Sequence, residues 1–68
     1  MKISARNQLS GKVIDVKEGV TTATVKVDIG DGKFITSTIT MVAVKDLGIT
    51  VGSEVTTVIK SSSVMLMV

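Results

Sequence analysis

β-Branched side chains dominate this chain: twelve valines, seven isoleucines and nine threonines make 28 of its 68 residues, about two-fifths. Such residues lose side-chain freedom in a helix and pack well on a pleated surface, so the expected fold is all-β. The length allows one domain, residues 1–68, and a domain this small buries only about 60% of the surface its unfolded chain exposes. Chains of this size usually lean on a disulfide, a metal or a partner. The sequence has no Cys and no His, which excludes disulfides and soft-metal sites. Self-association is the remaining support.

Strand one is expected from about Lys2 to Lys17, with Gly11 in its middle marking a bulge or bend that lets one long strand serve both halves of a small barrel. Glu18-Gly19 then turns the chain. From Thr21 to Ile29 alternation is strict: Ala23, Val25, Val27 and Ile29 fall on one face, Thr22, Thr24, Lys26 and Asp28 on the other, as in a half-buried antiparallel strand. Gly30-Asp31-Gly32 tolerates positive φ and predicts a tight hairpin into a third strand, Lys33 to Thr40. One short helix fits Met41 to Leu47, with Thr40 as N-cap and Gly48 ending it in a left-handed turn. After a turn at Gly52-Ser53, Val55–Lys60 and Val64–Val68 are expected as strands four and five, separated by Ser61-Ser62-Ser63. Five strands with a helix between the third and fourth give a five-stranded OB-type Greek-key barrel. No internal repeat or low-complexity tract interrupts it.

The last strand speaks to assembly. Val64-Met65-Leu66-Met67-Val68 does not alternate, so both of its faces need cover, and a small barrel has one interior. Another subunit is the expected second cover; the alternative is a terminus packed on its own barrel.

Composition narrows the function. Eight Lys plus Arg against six Asp plus Glu leave a net charge of +2, scattered along the chain, which implies neither nucleic acid nor an anionic membrane as partner. No apolar run approaches the roughly 20 residues of a bilayer span. The start, Met1 to Asn7, lacks the apolar core of a secretory signal, so the expected compartment is the cytoplasm. With no imidazole or thiol and few carboxylates, the chain is not expected to be an enzyme.

The distinctive polar groups are hydrogen-bond donors. Ser4, Arg6 and Asn7 stand at the start, Thr36, Ser37, Thr38 and Thr40 in the third strand, and Lys60, Ser61, Ser62 and Ser63 before the last, with no carboxylate among them. A site built from these segments takes an anion, Arg6 and Lys60 supplying charge, hydroxyls and main-chain amides supplying shape. The competing reading is that Ser and Thr merely populate strand surfaces and turns. Other candidates are weaker. Gly30-Asp31-Gly32 lacks phosphate-loop spacing. Asp28 with Asp31, or Asp15 with Glu18, fit a solvated edge better than a hard-cation site. Ser4 with Lys60 as a nucleophile pair has no defined oxyanion hole. Lys2, Lys12, Lys17, Lys26, Lys33 and Lys45 read as solubilising surface. A single-stranded nucleic-acid binder would stack bases on aromatic rings, and Phe34 is the only one.

The run Ser4-Ala5-Arg6-Asn7-Gln8-Leu9, with Gly11-Lys12-Val13 after it, resembles the signature of the molbindins, the small Mop-type molybdate- and tungstate-binding proteins. The resemblance continues through Ile39-Thr40, Val44-Lys45-Asp46-Leu47-Gly48, Val51-Gly52, Ile59-Lys60-Ser61 and Ser63-Val64-Met65, and so covers the whole chain. It implies an OB-type barrel assembled as a homohexamer, a trimer of dimers, with oxyanions held at subunit interfaces. It also implies intracellular storage and homeostasis of molybdate or tungstate as ligand, with no other cofactor. Matched residue by residue, Ser4, Ala5, Arg6, Lys60 and Ser61 would form the main site. Thr40 matches a hydroxyl position in related domains; Ala43 falls where some of those domains carry serine, a departure that removes one hydroxyl. A second site near the threefold axis is implied without residues.

That ligand suits a donor-only pocket. Molybdate and tungstate carry no proton at neutral pH, whereas hydrogen phosphate would set a hydroxyl against a pocket with no acceptor, at a cost of about 1–3 kcal/mol. Sulfate is also unprotonated and must be rejected by size. The alternative function is a non-catalytic assembly or regulatory module that docks a transporter or transcription factor through the apolar C-terminal segment.

Overall fold

A computed structural model describes residues 2–68. The elements in order are β1 (Asn7–Glu18), β2 (Thr22–Gly30), β3 (Lys33–Thr40), α1 (Met41–Leu47), β4 (Glu54–Ile59) and a 3-10 turn over Ser61–Ser63. The strands form one curled antiparallel sheet in the order β3-β2-β1-β4. The all-β class, the order of elements and the helix after the third strand are as the sequence predicts.

Local chemistry accounts for the best-anticipated parts. Asp31 and Gly32 form the two-residue tip between β2 and β3, both with positive φ, and Asp28 Oδ1 accepts the Gly30 amide at 2.8 Å. Thr40 caps α1 with its Oγ1 accepting the Ala43 amide at 3.1 Å, and Gly48 ends the helix at φ 64°.

The long first strand serves both halves of the sheet, residues 7–12 pairing with β4 and residues 12–18 with β2. Its bulge is at Ile14, not at Gly11. The Val13 amide donates to Ser53 O at 2.9 Å and its carbonyl accepts from Gly52 at 2.8 Å, so the turn before β4 docks there. The extra residue then keeps both Val13 and Val16 facing inward. Gly11 is instead a point of close approach: a Cβ there would stand 2.4 Å from the Asp28 carbonyl oxygen.

Two further expectations change. Strand one begins at Asn7 rather than Lys2, because its partner β4 ends at Ile59 and residues 2–6 have no strand beside them. Val64–Val68 joins no sheet within the chain; the structure pairs four strands, not five. Nor is this terminus packed on its own barrel, since Met65, Leu66 and Met67 are 92–97% exposed.

The core is small: Val13, Ala23, Val25, Val27 and Val44 are buried, and Val16, Ile29, Ile39, Ile49 and Val55 pack against the cluster of Val13, Val25 and Val27. Among the described residues no polar side chain is buried and no helix is long and apolar enough to cross a membrane. An apolar groove of about 200 Å³ lies between the edge strands, walled by Ile39 and Ser37 of β3, Val55 and Val58 of β4, and Val25 and Val27 beneath.

Candidate functional site

Two of the three donor-rich segments meet at one end of the sheet. Asn7 faces Ile59 on the last rung of the β1–β4 ladder, so Ser4, Ala5 and Arg6 run into the sheet where Lys60 and Ser61 run out of it. The ladder ends at this rung, and Arg6 and Lys60 are the next residues along the two segments that leave it. Ser4, Arg6, Lys60 and Ser61 are exposed, and Ala5 is half-buried. The two segments that flank this rung, together the rim, carry two cations and two hydroxyls and contain no Asp or Glu.

The segment before β1 is bent at Ser4 and Arg6 and is held by side chains rather than by a ladder. Gln8 Nε2 donates to Ala5 O at 3.0 Å, and Asn7 Nδ2 donates to Ile59 O at 3.3 Å, joining residues 52 apart in sequence. The sequence reading counts Asn7 among the donors at the start of the chain and gives Gln8 no role of its own beyond the signature run. Their signal was their place: two amide side chains directly after the arginine, at the point where pairing begins.

Lys60 precedes the serine run, which closes into the 3-10 turn through Ser63 N to Lys60 O at 2.9 Å and Val64 N to Ser61 O at 3.2 Å. This turn separates β4 from the extended Val64, whose φ and ψ are −89° and 122°.

Thr40 does not join that rim within one chain. It pairs with Thr22 at the end of the sheet where Glu18 of β1 meets Ala23, the opposite end of β1 from Asn7. Its Oγ1 is engaged as acceptor by the Ala43 amide, which leaves the hydroxyl proton free to donate outward. Ala43 is half-buried in the first turn of α1 and adds no polar group. Thr36 and Thr38 are exposed on β3, and Ser37 faces the groove.

A groove of about 660 Å³ opens elsewhere, beside Ser10, Gly11 and Lys12, but Asp28 and Glu54 line it and would repel a dianion. Among the described residues no group of three or more His, Cys, Asp or Glu could hold a metal ion. Chemically the two rim segments offer what an anion needs: charge on Arg6 and Lys60 and hydroxyl donors on Ser4 and Ser61.

The TOBE domain family model matches residues 3–66. The probable molybdenum-pterin-binding protein of Haemophilus influenzae is 50% identical over 66 residues, covering 97% of this chain and 96% of that protein. The chain belongs to the TOBE-domain family, with the small Mop proteins. Among solved structures, MopII from Clostridium pasteurianum in an apo form superposes with a TM-score of 0.92 at 49% identity, covering 98% of this chain and 100% of that one. The cytoplasmic molybdate-binding protein ModG, solved with molybdate bound, has a TM-score of 0.86 at 38% identity over 90% of this chain and 43% of its own. The resemblance read from Ser4 to Leu9 is thus a family relationship spanning nearly the full length, and the Mop neighbours share the OB-type architecture.

Proposed function

We propose that this chain binds molybdate or tungstate as a non-catalytic, cytoplasmic store that buffers the oxyanion, and that it does so as a homo-oligomer with sites at subunit interfaces. The observation that carries this reading is the meeting of Ser4-Ala5-Arg6 with Lys60-Ser61 across the Asn7–Ile59 rung, in a chain whose relatives and structural neighbours bear molybdenum- and molybdate-binding names. Arg6 and Lys60 neutralise the dianion; Ser4, Ser61 and the amides of Ala5 and Arg6 donate to its oxygens. Thr40, at the far end of β1, reaches the ligand only from a second copy. The rim of one chain is half a site.

Oligomerisation is supported by the C-terminal segment. Every copy carries an exposed apolar tail, Val64–Val68, and an apolar groove between β3 and β4 whose edges are unpaired within the chain. Seating one copy's tail as the fifth strand of another removes both liabilities, and reciprocal exchange closes a twofold pair. Each Val, Met or Leu buried this way contributes about 1.5–3 kcal/mol before the ordering cost of the tail. Three such pairs make the hexamer that the family resemblance implies. Bound dianions then offset repulsion between cationic rims brought together by assembly.

A second reading draws on the same tail: docking of a transporter subunit or transcription factor, with the barrel as a module. It predicts a hetero-complex and indifference to oxyanions.

Calorimetric titration with molybdate, tungstate, sulfate and phosphate tests the reading. Saturable binding of the first two at low micromolar protein is expected, with phosphate weaker; no saturable molybdate or tungstate binding would reject it.

A further inference from the structure

The two amide side chains beside the rim act on matching targets. Gln8 Nε2 engages the carbonyl of Ala5, and Asn7 Nδ2 engages the carbonyl of Ile59. These carbonyls belong to the peptide units Ala5–Arg6 and Ile59–Lys60, the ones that lead into the two cations of the rim. A trans peptide is planar, so fixing its C=O fixes its N–H in the opposite direction. Among the described residues there are no cis peptides.

We propose that Asn7 and Gln8 are positioning residues of the oxyanion site, an inference that rests on the function proposed above. They do two things without touching the ligand. Gln8 engages a carbonyl that lies outside the ladder, and Asn7 adds a bond to the carbonyl on the ladder's last rung. Each also orients the following main-chain donor, Arg6 N–H for Gln8 and Lys60 N–H for Asn7. Preorganisation of this kind lowers the ordering cost of binding, and it matters most for Ser4–Arg6, a bent segment with no strand beside it. Gln8 is exposed and Asn7 half-buried, so Gln8 gives the cleaner test, its loss costing little packing.

The test is calorimetry with molybdate on the assembled wild type, Gln8→Met, Gln8→Ala and Asn7→Ala, alongside the melting temperature of each ligand-free protein and the backbone amide resonance of Arg6. Gln8→Met keeps the side chain's bulk and removes its donors without adding charge. We expect Gln8→Met and Gln8→Ala to weaken molybdate about fivefold with an unchanged melting temperature, and to shift the ligand-free Arg6 amide resonance. Asn7→Ala should weaken binding similarly while also lowering the melting temperature. Wild-type affinity in both Gln8 variants, or a loss matched by dissociation of the assembly, overturns the inference and leaves the proposed function standing. Failure of the wild type to bind molybdate overturns both.

Discussion

Asn7 and Ile59 are the last paired residues of β1 and β4, and the Asn7 side chain adds a hydrogen bond of 3.3 Å to the Ile59 carbonyl across that rung. The residue next to each strand end is a cation, Arg6 before β1 and Lys60 after β4. Two of the chain's eight basic residues therefore flank the end of this ladder.

Arg6→Ala and Lys60→Ala should each weaken molybdate binding by roughly ten- to hundredfold, the range for a hydrogen bond to a charged group. Ser10→Ala and Lys33→Ala, on β1 away from the rim and at the β3 hairpin, should change it less than twofold on the same scale. Calorimetry on the four variants checks this. Equal losses at all four positions would mean that bulk charge, not a built site, attracts the ion.

Deleting Met65–Val68 should convert the assembly to smaller species in sedimentation velocity. Leu66→Asp should act in the same direction, because a buried, unpaired carboxylate is costly. An unchanged sedimentation coefficient in both would show that the tail does not join subunits.

Molybdate at about one hundred times its dissociation constant should add about 2.7 kcal/mol to the stability of the assembled protein. Thermal melts with and without ligand read this directly. If subunits share the sites, ligand should also move dilute protein toward the assembled state on a sizing column.

Gly11→Ala should destabilise the fold by about 1–3 kcal/mol, since the added methyl meets the Asp28 carbonyl oxygen on the backbone of β2. Thr40→Ala should cost about 1 kcal/mol by removing the cap on the Ala43 amide, and Thr40→Ser should restore it. Chemical denaturation separates the two. A Gly11→Ala protein as stable as wild type would mean that β1 and β2 part easily at their closest approach.

What was legible in the sequence was what neighbouring residues decide. The Asp31-Gly32 tip, the Thr40 cap and the Gly48 stop need only a few residues on either side, and the alternation of Ala23, Val25 and Val27 states which face is inward. The start of β1 was not legible, because pairing at Lys2 depends on how far β4 extends, and that is fixed 52 residues away by Ile59. The position of the bulge is not legible for a similar reason: Gly11 carries the local signal, but Val13 holds the turn at Gly52-Ser53. Val64–Val68 has strand composition without alternation, so the sequence gives no facing and the single chain offers no neighbour. For the candidate site, residue types point to Arg6, Lys60 and the serines, and only the register shows that the segments carrying them leave one end of the sheet while Thr40 lies at the other.

The most direct test is a crystal structure of the tungstate complex with anomalous scattering recorded at the tungsten edge, which marks each ion without reference to the protein. The account predicts peaks bounded by Arg6 and Lys60 with groups from more than one copy around each. Peaks enclosed by one chain alone, or Arg6 and Lys60 directed away from every ion, would contradict it.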